Sequence, residues 1–405
     1  MAIAVGRPLG AFEGDLKIAG DPRVARVEGL LLIVPAGSRA VGPHTPVAGL
    51  PLLRRIALAG SRAGLLPILC GGLGDASLSA EGIAVELGAD REAGSPGSRR
   101  IIVCPTNVIV QARWLRALAE SSVEPETLSV DPSMVALVDT EDPGKVLADA
   151  ARATTADDLI AALGDRLRRR PTSFDANGRF PLTGPDDTAE AEAWLLRSLV
   201  KDSEGFMSRH FERRISLAVT RRLAWTSITP NAMTLVSLAV GLSSAPFFLS
   251  ARPAWQLVGA LVFLTHSILD GCDGELARLK FLESPRGARL DFWGDNVVHV
   301  AVFGCMAVGW SLATHSALPL LLGVAAIGAV AVATAVLSGT GLQPRPPGSE
   351  ATARVVDTLA NRDFIYLVLA LSTVGRAWWF VALVATGTPI FVLAALWANR
   401  ARPSA

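Results

Sequence analysis

Charge-free runs dominate the second half of the chain: Leu223–Ala251, Pro253–Leu269, Asn296–Pro344, Phe364–Gly375 and Ala377–Asn399. A membrane-crossing helix takes about 20 predominantly apolar residues, and the third of these runs is long enough for two with a turn near His315-Ser316. The pattern predicts six spans, at 231–250, 254–276, 292–313, 317–339, 357–375 and 378–399. Before Arg222 the apolar runs are short and charges are frequent. Gly29–Pro35, Leu65–Cys70, Arg100–Val110 and Met134–Asp139 read as buried strands, and helical patterns at Ala112–Ser121 and Thr155–Arg169 alternate with them. This alternation predicts an α/β domain over residues 1–170, with a parallel sheet and helices on both faces. Pro, Gly and Asp punctuate the next stretch, so residues 171–200 are expected to be a linker ending in a helix at Ala189–Val200. From Phe206 to Leu223 apolar and basic residues segregate at helical spacing, which predicts an amphipathic helix on the membrane surface within residues 201–228. Residues 229–400 are expected to form an all-α transmembrane domain.

One connection between apolar runs carries four acids: Asp270, Asp273, Asp291 and Asp295. A charge at membrane depth costs about 2.5–3.5 kcal/mol even on the lenient insertion scale, so something must offset these carboxylates. On a helix Asp270, Asp273, Gly274 and Ala277 share one face, and Asp291 and Asp295 stack one turn apart on the next helix. Pro285 and Gly287 are expected in the connection that turns the chain back. Hard oxygen donors arranged in this way suit Mg²⁺ or Mn²⁺ rather than zinc, and Gly274 and Ala277 leave room beside the ions for a ligand.

The order Asp270-x2-Asp273-Gly274-x2-Ala277-Arg278-x8-Gly287-x3-Asp291-x3-Asp295 resembles the motif of the CDP-alcohol phosphatidyltransferases, matched at eight specified residues over 26 positions. The resemblance implies transfer of a substituted phosphoryl group from a CDP-linked alcohol to an acceptor alcohol, with release of CMP and two divalent ions at the site. It implies Asp270, Asp273 and Asp291 as principal ligands, and Asp295 as the base for the acceptor hydroxyl or a ligand of the second ion. Gly274, Ala277, Arg278 and Gly287 border the nucleotide in this reading, and Arg278 could equally hold an aspartate in place. Thr229-Pro230-Asn231 stands at the start of the first span, where the resemblance puts Thr229 and Asn231 beside CDP; a helix cap is the plainer role. Lys280, Arg286, Arg289, Arg354 and Arg362 are candidates for a phosphate on the acceptor, or else simple flanks facing lipid headgroups. His266 and His299 read as hydrogen-bonded interior residues, His266 one turn before Asp270 and able to orient it.

The run from Lys201, with Asn361-Arg362-Asp363-Phe364, most resembles the branch that joins a cytidylyltransferase domain to a membrane synthase acting on CDP-inositol and inositol phosphate. CDP-inositol and CDP-diacylglycerol both fit the motif, and pairing as a homodimer is common in the family. The first half is weakly similar to sugar nucleotidyltransferases through Pro35-Ala36-Gly37-Ser38-Arg39 and Thr45–Leu53. Its opening loop lacks the second close glycine that lets N–H groups cradle a triphosphate, His44 stands where the family has lysine, and Cys104-Pro105-Thr106-Asn107 replaces a metal-binding aspartate. A catalytically degenerate nucleotidyltransferase-like domain is the expectation.

A net charge of +1 gives no basic surface for nucleic acid. Four scattered cysteines give neither a disulfide framework nor a zinc site. Arg7, Glu13, Asp15 and Lys17 interrupt any signal-peptide core, so the amino terminus is expected in the cytoplasm. Arg213, Arg214, Arg221, Arg222, Arg278, Lys280, Arg286, Arg289, Arg345, Arg354, Arg362, Arg400 and Arg402 then fall on the inner side, and only Arg252 and Arg376 on the outer. The expected product is a multi-pass protein of the bilayer, of the inner membrane in a bacterium, with its site open to cytoplasmic substrates. A transporter would keep its acids near the midplane, and an inactive scaffold would have no use for the complete motif.

Overall fold

A computed structural model describes residues 29–37, 41–87, 99–200, 207–339 and 364–400. The chain forms two compact units that divide between Arg197 and Ser198.

The first unit is α/β. Strands β1 (Gly29–Val34), β2 (Pro46–Val47), β3 (Leu50–Pro51), β4 (Leu66–Leu69), β5 (Val85–Glu86), β6 (Arg100–Pro105), β7 (Val108–Val110), β8 (Thr127–Val130), β9 (Ala136–Asp139), β10 (Arg168–Pro171) and β11 (Arg179–Pro181) alternate with helices. The helices are α1 (Leu52–Ala63), α2 (Ala76–Ala80), α3 (Ala112–Glu120), α4 (Pro143–Arg152), α5 (Ala156–Gly164) and α6 (Asp187–Arg197). Among the described residues seven strands form one sheet in the order β10-β8-β9-β6-β1-β4-β5. The sheet is mixed rather than parallel: β9 runs antiparallel to both β6 and β8. The reason is length. Only residues 131–135 separate β8 from β9, whereas a parallel return takes a crossover of about a dozen residues or more. Helices cover both faces. Leu30, Leu32 and Val34 of β1 pack into one core with Val146 and Leu147 of α4 and Leu159, Ile160 and Leu163 of α5. Leu31 points the other way, to α1, where a Cβ on Gly60 would run into its side chain.

The stretch expected to be a linker is built into this unit. Arg168–Pro171 pairs with β8 in parallel, Arg179–Pro181 pairs with β7, and α6 carries Glu192, whose carboxylate accepts from Ala48 N–H at 3.0 Å. All four residues of β10 are exposed, so no apolar run announced it.

The second unit is helical. A π-helical turn at Ser208–Glu212 leads into α7 (Arg213–Leu223), followed by α8 (Pro230–Ser244) with a 3-10 extension to Leu249, α9 (Pro253–Lys280) and α10 (Pro285–Thr314). Helices α11 (Leu318–Gly339), α12 (Phe364–Thr373) and α13 (Trp379–Arg400) follow among the described residues. Proline sits at the first positions of α8, α9 and α10, where its missing N–H has no helical partner to lose. Among the described residues three helices are long and apolar enough to cross a membrane: Pro230–Leu249, Pro253–Lys280 and Pro285–Thr314. Phe248, Phe263, Val302, Phe303, Val368 and Phe380 fill the centre of the bundle. The first part of the fifth expected span, 357–363, lies outside the described residues.

Candidate metal and nucleotide site

The aspartate stretch folds as two helices joined by a four-residue turn. Helix α9 ends where Phe281 takes a left-handed conformation (φ 58°), and Leu282 N–H bonds back to Ala277 O at 2.8 Å, a closure that satisfies the last carbonyls. Ser284 then caps α10, its hydroxyl accepting from Gly287 N–H at 3.0 Å. The turn is therefore 281–284, and Pro285 and Gly287 belong to the first turn of α10 rather than to the connection.

Carboxylate oxygens of Asp270, Asp291 and Asp295 converge within 4.8 Å of one another. Asp270 and Asp295 are buried and Asp291 is half-buried. Oxygens bound to a single Mg²⁺ at about 2.1 Å sit roughly 3–4 Å apart, so this all-oxygen donor set fits a hard divalent cation with little rearrangement. Three carboxylates this close repel one another unless a cation lies among them. Asp273 stands outside this group of three. It is buried and accepts a hydrogen bond from Thr234 of α8, so α8 fixes one of the motif acids.

Helix α8 also approaches α10. The Asn231 side-chain oxygen lies 2.8 Å from where a Cβ on Gly287 would stand, which explains why glycine occupies that place and joins Asn231 to the motif. Thr229 is the N-cap of α8, accepting from Ala232 N–H at 3.3 Å, the plainer of its two expected roles. Gly274 faces the Arg278 guanidinium, 3.3 Å from a notional Cβ; Ala277 is half-buried on the same helix. Lys280 donates to Thr226 O at 2.6 Å. Arg286 and Arg289 are exposed at the start of α10. Arg354 and Arg362 lie outside the described residues.

His266 sits beside Asp295: its Nε2 is 3.7 Å from Asp295 Oδ1, and its Nδ1 is 2.8 Å from Ser237 Oγ. His266, His299, Asp270 and Asp295 line one narrow cavity with Phe263 and Phe364. The motif gave no notice of Thr234, Ser237 or the buried Glu212 and Glu275. A polar stripe at residues 212, 216 and 220, one helical turn apart, was the available signal.

In the α/β unit Pro35 and Ala36, just after β1, are tied to neighbouring segments. Ala156 N–H at the start of α5 donates to Pro35 O at 2.9 Å, and Ala36 N–H donates to Thr106 Oγ1 at 3.1 Å. A Cβ on Gly37 would collide with the Asp157 carboxylate. An acid in that place repels phosphate.

Residues 227–356 match the CDP-alcohol phosphatidyltransferase family, so this segment carries a CDP-alcohol phosphatidyltransferase domain. The chain is similar to the bifunctional IPC transferase and DIPP synthase of Thermococcus kodakarensis, 36% identical over 149 residues, 36% of this chain and 33% of that protein. It is also similar to the CDP-diacylglycerol–serine O-phosphatidyltransferase of Mycobacterium bovis, 29% identical over 196 residues, 44% of this chain and 62% of that protein. The match spans about a third of the length of the bifunctional relatives. A crystal structure of Mycobacterium tuberculosis phosphatidylinositol phosphate synthase with CDP-DAG bound aligns with 47% of this chain and 99% of that one, at 20% identity and a TM-score of 0.34.

Proposed function

We propose that this chain transfers a substituted phosphoryl group from a CDP-linked alcohol to an acceptor hydroxyl, releasing CMP, with Mg²⁺ or Mn²⁺ at the aspartate hairpin. The convergence of Asp270, Asp291 and Asp295, inside the segment that matches the family, carries this reading. Bound there, two divalent ions supply positive charge against the diphosphate and the departing CMP. Asp270 and Asp291 hold that charge in place, and Asp273, tied to Thr234, completes the ligand set from the neighbouring turn. Asp295 takes the proton of the acceptor hydroxyl on its carboxylate, with the His266 imidazole beside it limiting its rotation. Asn231, Gly274, Ala277, Arg278 and Gly287 border the cytidine diphosphate, where glycines let the helices come close. Lys280, Arg286 and Arg289 supply positive charge near the hairpin turn for a phosphate on the acceptor.

The donor in this reading is CDP-inositol or CDP-diacylglycerol, the second appearing in the name of the mycobacterial relative, and inositol phosphate is among the acceptors. The α/β unit is a nucleotidyltransferase-like domain without its own catalysis, supported by the bonds that occupy Pro35 and Ala36 and by Asp157 against Gly37. In this reading the chain crosses the membrane six times with its hairpin turn and amino-terminal half cytoplasmic, supported by the basic residues around α7 and the turn. Purified full-length protein in nanodiscs, given each labelled donor and a panel of hydroxyl acceptors, should release CMP with Mg²⁺ and not with EDTA. Absence of both metal-dependent CMP release and CDP binding sinks the proposal. Homodimer formation belongs to the same reading and is read by native mass spectrometry of the same sample.

A further inference from the structure

Helix α7 presents its polar side to the protein. Glu212, Ser216 and Thr220, spaced one turn apart, are buried, while Phe211, Ile215 and Trp225 are exposed. In a water-soluble bundle the pattern runs the other way. Hydrogen bonds therefore hold this face against α9, and their centre is Glu275, which is 0% exposed. Ser216 Oγ donates to Glu275 Oε1 at 2.7 Å, Thr220 Oγ1 donates to Oε2 at 2.6 Å, and Arg213 pairs with the same carboxylate. Cys272 Sγ approaches Ser216 O at 3.5 Å, and the Arg213 guanidinium passes close over Gly271. At the other end Glu212 accepts from Tyr366 OH at 3.1 Å and from Ser267 Oγ at 3.5 Å.

Glu275 lies about 140° around the helix from Asp270, at 100° per residue. Helix α9 is thus gripped on one side while it offers its metal-facing acids on the other. A carboxylate about 6 Å from the helix axis moves about 2 Å if the helix rolls by about 20°, and displacements of about 1 Å in a reacting site cost on the order of a hundredfold in rate. We propose that Glu275 is a positioning residue: by clasping α7 it fixes the roll of α9, and so aims Asp270 and Asp273 at the bound cation. This rests on the metal-dependent reading above.

The test compares the full-length chain in nanodiscs with the double variant Ser216→Ala/Thr220→Ala, which leaves the Arg213 pair intact, and with Thr220→Ser, which restores a donor. Mn²⁺ binding is followed by electron paramagnetic resonance, and backbone hydrogen exchange is followed over residues 266–277 of α9. The double variant should bind Mn²⁺ about tenfold more weakly, the low end for loss of groups that support metal ligands, and exchange faster in that segment. Thr220→Ser should match the parent. Unchanged Mn²⁺ affinity, or faster exchange confined to α7, overturns the proposal. If the parent itself binds no Mn²⁺, the metal reading fails by itself. Exchange then decides the clasp alone, unchanged protection of 266–277 refuting it and faster exchange there upholding it.

Discussion

Replacing Asp291 by asparagine distinguishes a cation-holding cluster from three acids that merely share a wet cleft. With oxygens within 4.8 Å, each pair of unit charges repels by about 3–4 kcal/mol at an effective dielectric constant near 20. The neutral amide removes two of the three pairs, about 7 kcal/mol before water and counter-ions screen it. A net gain of about 2–3 kcal/mol without divalent ions is the expected order. For a helical unit of roughly 200 residues that corresponds to an apparent Tm higher by about 5–10 °C. With Mg²⁺ the gap closes. A cation at a hundredfold its Kd stabilises the parent by about 2.7 kcal/mol, whereas the variant has lost a ligand and gains little. The nine tryptophans provide the melting signal, recorded in nanodiscs at one scan rate with EDTA and then with Mg²⁺. CMP release from a CDP-alcohol, measured alongside, should fall by at least about a hundredfold. A variant that melts below the parent in EDTA, or gains as much from Mg²⁺, refutes the reasoning.

Two further outcomes follow from buried acids. Thr234→Val keeps the shape of the side chain but removes the donor to Asp273. It should lower the apparent Tm by an amount equivalent to about 1.5–3 kcal/mol and weaken Mg²⁺ activation, and an unchanged Mg²⁺ requirement would show that Asp273 needs no such support. In the α/β unit, burial opposes charge on Asp131, but bonds from the Ser133 hydroxyl and N–H, Phe174 N–H and Arg179 outweigh it and hold the carboxyl below the ordinary range. A depressed folded value means that this stability is full above the unfolded value near ~3.9 and is lost as pH falls through the folded one. Exchange protection of β8 and β11, corrected for intrinsic rates, should thus be flat at neutral pH and drop below about pH 4. Asp131→Asn should lose about 3–5 kcal/mol at pH 7 together with that acid-side drop, and a variant that keeps the drop counts against Asp131 as its source.

Local patterns carried much of the fold. The apolar runs at residues 29–35, 65–70 and 134–139 became β1, β4 and β9, because a buried strand must be apolar over its own length. The run from Arg100 to Val110 split into β6 and β7 at Thr106-Asn107. The helix expected to reach Arg169 stops at Gly164, since tertiary pairing with β8 draws Arg168–Pro171 into the sheet although nothing in arginine favours a strand. The hairpin acids were legible because residues that share a helix face recur at helical spacing, and Asp270, Asp291 and Asp295 do converge. What sequence could not supply was pairing between distant residues. Glu275 read as one more polar position inside a motif, and only its hydrogen bonds to residues 55 and 59 positions earlier reveal why a carboxylate is kept there.

The arginines of β10 have a consequence for the molecule in numbers. Among the described residues the seven-stranded sheet ends at β10, and an edge strand is a template on which another copy could add its own strand. Arg168, Arg169 and Arg170 are exposed on that edge strand, and Glu124 pairs with Arg168 and Arg170, so the edge keeps an excess of positive charge and two such edges meeting would bring like charges together. Charge of one sign on an edge strand thus disfavours edge-to-edge pairing between copies of this chain.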